Sequence, residues 1–398
     1  MKGSRHRECP CDDPKDCRRK DSTNHPVRYV VRYEKPAGPD GQRRQGKKRF
    51  RTADEADTFL AGQVTAVAQG TYVDPSRDVL STYLRAWLKR KARTLRPGTI
   101  ADYAWRLETM VIPHIGSVRL GDVRIAHLDH MFDEIAEDEA HDVGPTSLHS
   151  ILAVLSSALG EAEEREQIAR NPCRHYGKRH LPPKSTPKVK PWTPAQTSAF
   201  LAAVAGERDA LLWRLYAVLG LRRGEGIGLR WSDVDLDAGR LAVRQAVTLA
   251  GGKVVVGKPK TKAGEDRVAV LDAGTIAGLK AHRKAQAAER LKAGSVYEDN
   301  GLIFCDEIGR MIKPPAVSHR FRQLAAAAGL PRVRLHDLRH GAVSMLIAVG
   351  IPLPVVSKLV GHASTKTTGD LYGHLVEGTA VAAADAVAAL LSGTSAVS

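Results

Sequence analysis

The sequence predicts a multidomain fold that is mainly α-helical with small β-sheets. Its 398 residues are enough for about two to three domains, each with its own hydrophobic core. The spacing of apolar residues changes along the chain: it has period two near residue 30, helical spacing from about 78 to 175, and a mixture of both after 192. We therefore expect an N-terminal strand-helix module, an all-α domain and a mixed α/β domain.

The composition is that of a globular protein with a strongly basic surface. Hydrophobic residues make up 43% of the chain, and 60 Lys and Arg against 44 Asp and Glu give a formal charge of +16. Such a charge attracts polyanions, so nucleic acid is the first partner to expect. No run approaches the roughly 18 apolar residues of a membrane span, and the N-terminus has no signal-peptide core. We expect a cytoplasmic protein without a membrane partner.

Residues 1–25 are predicted to form a cysteine-containing tail. Cys9, Cys11 and Cys17, with His6 or His25, could bind a structural zinc, although C-x-C is not one of the common zinc spacings. Free thiols are the alternative. An odd total of five cysteines without a secretion signal argues against a disulfide framework.

Residues 26–72 carry the signals of a small strand-helix module. In "VRYVVRYE" apolar residues alternate with mostly basic ones, which predicts a half-buried strand. A turn at Pro39 and Gly41 leads to a second basic strand, and Thr52 with Glu55 forms a capping box that opens a helix to about residue 69. The exposed face is either a nucleic-acid surface or a solvated hairpin; its basic residues are Arg28, Arg32, Arg43, Arg44, Lys47, Lys48 and Arg49.

Residues 78–175 are predicted to form an all-helical domain of four or five helices. Apolar residues recur at spacings of three and four, and the second helix is expected to end near Pro113. Basic residues cluster near one helix end, at Lys89, Arg90, Lys91, Arg93 and Arg96. Residues 176–191 are rich in proline and basic residues, which indicates a linker.

Residues 192–398 are predicted to form the mixed α/β domain. Thr193, Pro194 and Gln196 open a helix with a capping box. Two strand-like runs, "RLAVRQAVTL" and "VAVLD", flank a turn-rich stretch, and helices return after about residue 273. The alanine-rich C-terminal helix would be marginal alone, so we expect it to dock on a neighbour.

The stretch "HDLRH" has two chemical interpretations. His336 and His340 with Asp337 outline a helical metal site, whereas Arg339 beside His336 outlines an anion site, because a guanidinium forks onto two phosphate oxygens. A purely structural polar helix end is the third possibility. The anion interpretation is favoured, since a guanidinium next to a dication is hard to explain.

Three other segments supply residues of the same chemistry. Arg222 and Arg223 follow a buried-looking helix with Glu225 close by, and Lys260 lies on a turn between strands. Further on stand His362 and Tyr372. Each alone is weak evidence, since an arginine near a glutamate is usually an ion pair.

Taken in order, these residues resemble the catalytic set of the tyrosine recombinases, and specifically of the phage-type integrases of bacteria. The matches over residues 190–390 are "GLRRGE", "PKT", "HDLRH", "GH" and "DLYGH", and the matching residues are Arg222, Lys260, His336, Arg339, His362 and Tyr372. Arg223 and Lys262 are neighbours that could take two of these places, but the motif alignment favours Arg222 and Lys260. His340 is expected to buttress the site.

The resemblance implies a site-specific integrase that cleaves and rejoins DNA through a 3′-phosphotyrosine, with no cofactor and no catalytic metal. The three domains would be an arm-type DNA-binding module, a core-binding domain and a catalytic domain. Expected partners are double-stranded attachment sites, three further copies in a homotetramer, and an excision or directionality factor, all at the bacterial nucleoid. A Xer-like resolvase and a catalytically silent DNA-binding regulator are the alternatives.

Overall fold

The computed structural model describes residues 3–8, 28–36, 41–69, 72, 78–184, 190–261, 264–265 and 267–361. The chain forms two units, Met1–Thr186 and Pro187–Ser398, and each is treated by itself below. Within the described ranges, none of the helices combines the length and the apolar character needed to cross a bilayer. The predicted alanine-rich C-terminal helix lies outside these ranges, as do Cys9, Cys11 and Cys17 of the predicted tail, whereas residues 4–8 of that tail form a strand.

The N-terminal module is a three-stranded antiparallel sheet followed by one helix. Its elements are β1 Ser4–Glu8, β2 Arg28–Lys35, β3 Arg44–Phe50 and α1 Ala53–Ala68, in the sheet order β1-β2-β3. The predicted capping box is confirmed, because Thr52 Oγ1 accepts from the Glu55 amide at 3.3 Å. Val31 and Tyr33 pack with Ala56 and Phe59 between sheet and helix. Alternation is imperfect, since Val30 is also fully buried.

The rest of the first unit is helical. Its elements are α2 Leu80–Lys91, α3 Pro97–Trp105, a π-helical segment Arg106–Val111, α4 Ile112–Ile115, α5 Ile125–Glu137, α6 Pro145–Glu164 and α7 Tyr176–Arg179. The core contains Trp87, Leu107 and Leu155. The predicted helix end near Pro113 is confirmed to within two residues: α3 continues through the π-helical segment into α4, which contains Pro113 and ends at Ile115.

The segment after residue 175 packs more than its composition suggests. Tyr176 and Leu181, at the start of the predicted linker, belong to the helical core, and the Tyr176 hydroxyl donates to Asp129 at 2.8 Å. Burial of these two side chains attaches the stretch to the helical core, while Arg179, His180 and residues 182–184 are exposed.

The second unit combines helices with two small sheets. Its elements are α8 Pro194–Ala203, α9 Ala210–Leu219, α10 Arg223–Gly226, β4 Val234–Asp235, β5 Arg240–Val243, β6 Ala246–Ala250, β7 Lys253–Gly257, β8 Arg267–Val270, α11 Ala273–Ala293, α12 Pro314–Ala327, α13 Leu335–Ala348 and α14 Leu353–Val360. Strands β4, β5 and β8 pair antiparallel in that order, and β6 and β7 form a hairpin. The core contains Phe200, Trp213 and Phe321.

Two details of this unit differ from the sequence expectation. The run "RLAVRQAVTL" forms two strands, β5 and β6, which belong to different sheets, and β7 was not predicted. Other features of this unit agree with the sequence expectation. The capping box at Thr193 is confirmed, with Thr193 Oγ1 accepting from the Gln196 amide at 3.2 Å.

The predicted fold class, multidomain and mainly α with small sheets, is confirmed.

Candidate active site

Arg222 lies at the start of α10 and is held by three hydrogen bonds. Its Nη1 donates to Glu225 Oε1 at 2.7 Å, and its backbone N–H donates to Glu225 Oε2 at 3.0 Å. Its Nη2 donates to the Gly361 carbonyl at 2.8 Å. The side chain keeps 20% of its surface exposed while Glu225 keeps 1%. One edge of the guanidinium is therefore fixed by the protein, and part of the group is accessible.

Arg223, the alternative candidate for the first catalytic arginine, contacts a different helix. Its Nη1 donates to Ser318 Oγ at 2.9 Å on α12. Of the two arginines, only Arg222 joins Glu225 and Gly361 among the described residues.

Arg339 is anchored to the turn that leads to Arg222. It lies on α13, is 2% exposed, and donates from Nη1 to the Gly220 carbonyl at 2.6 Å. Gly220 ends α9 with φ 58°, a left-handed conformation that an L side chain adopts only with strain. Arg339 is thus bonded to a residue that precedes Arg222 by only two positions.

The acid of "HDLRH" caps a helix. Asp337 accepts from the Arg334 amide at 2.7 Å and from Arg334 Nη2 at 2.9 Å, which closes the first turn of α13. Burial raises the pKa of Asp337, but the hydrogen bonds from Arg334 outweigh it and leave the pKa below its usual range. This carboxylate faces Arg334, so it does not join the two histidines as a third metal ligand.

His336 is neutral at pH 7. Its ring meets that of His340 edge to face, with centroids 5.1 Å apart. Desolvation, followed by the charges of His340, Arg339 and Arg222, lowers its pKa to about 4, and Asp337 opposes this only in part. Because Arg339 and Arg222 both act on this ring, the structure brings these three predicted residues together. A neutral imidazole can accept a proton.

Lys260 lies on the turn that follows β7. It is exposed, and the next residue, Thr261, donates from Oγ1 to the Gly361 carbonyl at 3.2 Å, the same oxygen that Arg222 binds. The turn therefore reaches the edge of the arginine cluster. His362 and Tyr372, the last two residues predicted for the site, lie outside the described residues.

Arg267 is the residue that the sequence analysis missed. It opens β8, is 7% exposed, and donates to Glu225 Oε2 at 3.4 Å and to the Leu359 carbonyl at 2.7 Å. A signal was present: in the alternating strand "RVAV", Arg267 and Ala269 occupy the two inward positions. An arginine in phase with the buried face of a strand requires a buried partner.

The basic residues predicted to bind DNA through the N-terminal module divide between two faces. In the β2–β3 register Arg32 pairs with Lys47 and Val30 with Arg49, so Arg32, Lys47 and Arg49 share one face. Lys48 pairs with Val31 on the other face, where its ammonium lies 4.6 Å from the Phe59 ring centroid. Lys48 therefore covers the aromatic core. Arg28 belongs to β2, and its side chain is outside the described set.

The basic cluster of the helical domain is partly neutralised. Arg90 Nε and Lys91 Nζ each lie 3.1 Å from an oxygen of Glu161. Burial raises the pKa of Glu161, but the hydrogen bonds from Lys91 and Arg90 outweigh it and bring the pKa to about 2. Both cations also lie over rings of the core, Arg90 over Tyr83 and Lys91 over Trp87. Lys89, Arg93 and Arg96 are the exposed members of this cluster.

Comparison with known proteins defines the class to which this fold and this cluster belong. Residues 192–378 match the phage integrase family. A tyrosine recombinase XerC-like protein of Caldanaerobacter subterraneus subsp. tengcongensis is 27% identical over 347 residues, which cover 82% of this chain and 87% of that protein. The ICEBs1 integrase of Bacillus subtilis is 30% identical over 233 residues, 58% of this chain and 61% of that protein.

A solved structure shares the fold. The Tn1549 transposon integrase in complex with transposon right end DNA aligns with a TM-score of 0.66 and 17% identity over 78% of this chain and 99% of that one. The class is that of DNA recombinases with a tyrosine nucleophile. Residues 192–378 have the sequence of a phage integrase family domain, and the protein is a tyrosine-type site-specific recombinase.

Proposed function

We propose that this protein is an integrase that inserts and excises a mobile element, such as a phage or a conjugative element, at attachment sites in DNA. The observation that carries the proposal is the cluster of Arg222, Arg339 and a neutral His336 around one turn. Two guanidinium groups beside a proton acceptor suit attack on a phosphodiester, where negative charge grows on the non-bridging oxygens.

In the proposed reaction, Tyr372 attacks the scissile phosphate. The phenol, with a free pKa of about 10, gives its proton to neutral His336 as the bond from oxygen to phosphorus forms. Arg222 and Arg339 stabilise the pentavalent transition state, and His362 donates a hydrogen bond to the phosphate. The bond to the 5′ oxygen breaks as Lys260 protonates that oxygen, which leaves a 3′-phosphotyrosine.

The reverse reaction rejoins strands without an external energy source. A 5′ hydroxyl from the partner duplex attacks the phosphotyrosine, and because an ester replaces an ester, the bond energy is retained. The arginines supply the positive charge, so the scheme requires no cofactor. Exchange of both strands between two duplexes needs four cleavages, which favours a homotetramer on DNA.

Electrostatics support the proposed DNA contacts. The face formed by Arg32, Lys47 and Arg49 would bind phosphates of arm-type sites, and Lys89 and Arg96 would bind those of the core site. Because its substrate is chromosomal and element DNA, we place the protein at the nucleoid in the bacterial cytoplasm. An excision factor would act by changing how the arm-type sites are bound.

Two other functions share parts of these observations. A Xer-like resolvase is suggested by the name of the Caldanaerobacter relative. The N-terminal sheet-helix module favours an integrase, because a minimal resolvase has no need of a second DNA-binding surface. A silent regulator would bind the same DNA without forming a covalent complex.

The test uses a duplex that the wild-type protein selects from a random-sequence library, nicked at successive positions so that cleavage releases a short fragment. Wild type is expected to form a covalent complex that survives a denaturing gel. Tyr372→Phe should bind the duplex and form none, while the control Tyr297→Phe, whose hydroxyl lies 3.6 Å from Cys305 Sγ, should react as wild type. A covalent complex from Tyr372→Phe would sink the proposal, and none from wild type would favour the silent regulator.

A further inference from the structure

Arg267 and Arg222 share one buried carboxylate. Glu225 accepts from Arg222 through Oε1 and from Arg267 through Oε2, and its side chain is 1% exposed. One negative charge between two guanidinium groups leaves a surplus positive charge. Since the Arg267 side chain is 4% exposed and that of Arg222 is 20% exposed, this charge is accessible at Arg222.

The buried ion pair is a poor source of stability. Burial lowers the pKa of Arg267, Glu225 opposes this only in part, and the charge of Arg222 lowers it further. Well-packed apolar side chains often stabilise a core as much as such a buried charge does. The energetic cost of Arg267 therefore calls for a role other than packing.

Both arginines also bind the C-terminal end of α14. Arg267 Nη1 donates to the Leu359 carbonyl at 2.7 Å, and Arg222 Nη2 donates to the Gly361 carbonyl at 2.8 Å. The last carbonyls of a helix lack helical partners and carry partial negative charge, so cations are favoured there. Arg267 thus joins β8, α10 and α14 at the point where Arg222 is held.

We propose that Arg267 is a positioning residue for strand cleavage. It fixes Glu225 and the end of α14, which orients the Arg222 guanidinium toward the scissile phosphate. It also shares the carboxylate, so Glu225 does not neutralise Arg222 alone. Arg267 itself touches no DNA. This inference rests on the proposed function, in which Arg222 stabilises the transition state.

The first test compares Arg267→Met with a matched control, Arg208→Met. Arg208 makes the same kinds of contact in the same unit: a two-pronged ion pair with Glu289 at 2.7 Å and a hydrogen bond to the Cys305 carbonyl at 2.6 Å. At saturating protein on the nicked duplex, Arg267→Met is expected to slow single-turnover cleavage about 100-fold, because small misplacement of a catalytic group has that effect. Its DNA affinity should stay near that of wild type, and Arg208→Met should cleave at nearly the wild-type rate.

A second readout separates positioning from general loosening of the fold. In a methylphosphonate linkage, a methyl group replaces one charged non-bridging oxygen. The transition state then carries less negative charge for Arg222 to stabilise. The defect of Arg267→Met should become at least about tenfold smaller on this linkage. A structural defect would slow both linkages equally.

Arg267→Lys covers the case in which the methionine variant does not fold. Lysine keeps the charge but lacks the planar fork that bridges a carboxylate and a carbonyl, so cleavage should fall about tenfold, with the same partial recovery on methylphosphonate. Wild-type rates, equal losses on both linkages, an equal loss in Arg208→Met, or failure of both Arg267 variants to fold would each overturn the inference. Absence of a covalent complex from wild type would instead refute the proposed function.

Discussion

Replacement of His336 by asparagine is expected to change how stability depends on pH. The folded protein holds this imidazole at a pKa of about 4, against an ordinary value of 6.5, because it is desolvated and lies beside His340, Arg339 and Arg222. Between these two pH values the unfolded chain binds more protons than the folded one. Wild type therefore loses stability as pH falls from about 6.5 to 4, and it has no such dependence on this residue above 6.5.

The size of the effect follows from the two pKa values. At 1.36 kcal/mol for each pKa unit, the difference gives an upper limit of about 3.4 kcal/mol. Because His336 is exposed at the surface of the unit, solvent screening reduces this to roughly 1–2 kcal/mol. For a unit of this size, that corresponds to roughly 2–8 °C in melting temperature.

The assay measures thermal unfolding of wild type and His336→Asn at pH 7.5 and pH 4.5. Between pH 7.5 and pH 4.5, the melting temperature of wild type should fall further than that of His336→Asn. An NMR titration of the imidazole signals, assigned by their loss in His336→Asn, gives the pKa directly. His340→Asn is the control for the second ring, whose pKa is also lowered, chiefly by desolvation. Parallel pH profiles, or a His336 signal that titrates at or above 6.5, would refute the reasoning.

Three further predictions concern the same unit. Glu225→Gln removes the buried carboxylate between two guanidinium groups and should destabilise the unit by about 3–5 kcal/mol in urea unfolding; an unchanged midpoint would contradict it. Lys260→Ala should slow cleavage about 10²–10⁴-fold on ordinary DNA but much less when sulfur replaces the 5′ bridging oxygen, because a thiolate leaves without a proton; equal losses would exclude a role as general acid. Gly220→Ala should lower stability by about 1–2 kcal/mol, since φ is 58°, whereas Gly206→Ala, with open space around it, should be neutral.

Short sequence motifs were enough to predict where two helices begin and which residues of the second unit form the site. Thr52 and Thr193 each stand three residues before their capping partner, so the whole interaction lies within one turn of chain. The same holds for Arg222 and Glu225. Within the second unit, Arg222, His336 and Arg339 were predicted by resemblance to a known motif, and the structure brings them together.

Interactions between distant segments were not predictable in this way. Lys48 lies on the aromatic side of its sheet because of strand register, and Lys91 is paired with Glu161, which is 70 positions away. The contact between Arg267 and Leu359 spans 92 positions. Charge density in the sequence identified the basic segments, but only the pairing of strands and helices decides which of these cations face solvent.

Arg339 and Arg222 each donate a hydrogen bond to the main-chain carbonyl of a glycine in the left-handed conformation. The acceptor is Gly220 for Arg339 and Gly361 for Arg222. A main-chain carbonyl oxygen does not depend on the identity of the neighbouring side chains. Substitutions at Leu221 or Val360 therefore leave both of these hydrogen-bond acceptors in place, whereas replacement of Gly220 or Gly361 puts an L side chain into a left-handed backbone conformation. The residues around the site of such a recombinase can therefore vary while the positions of the Arg222 and Arg339 guanidinium groups are kept.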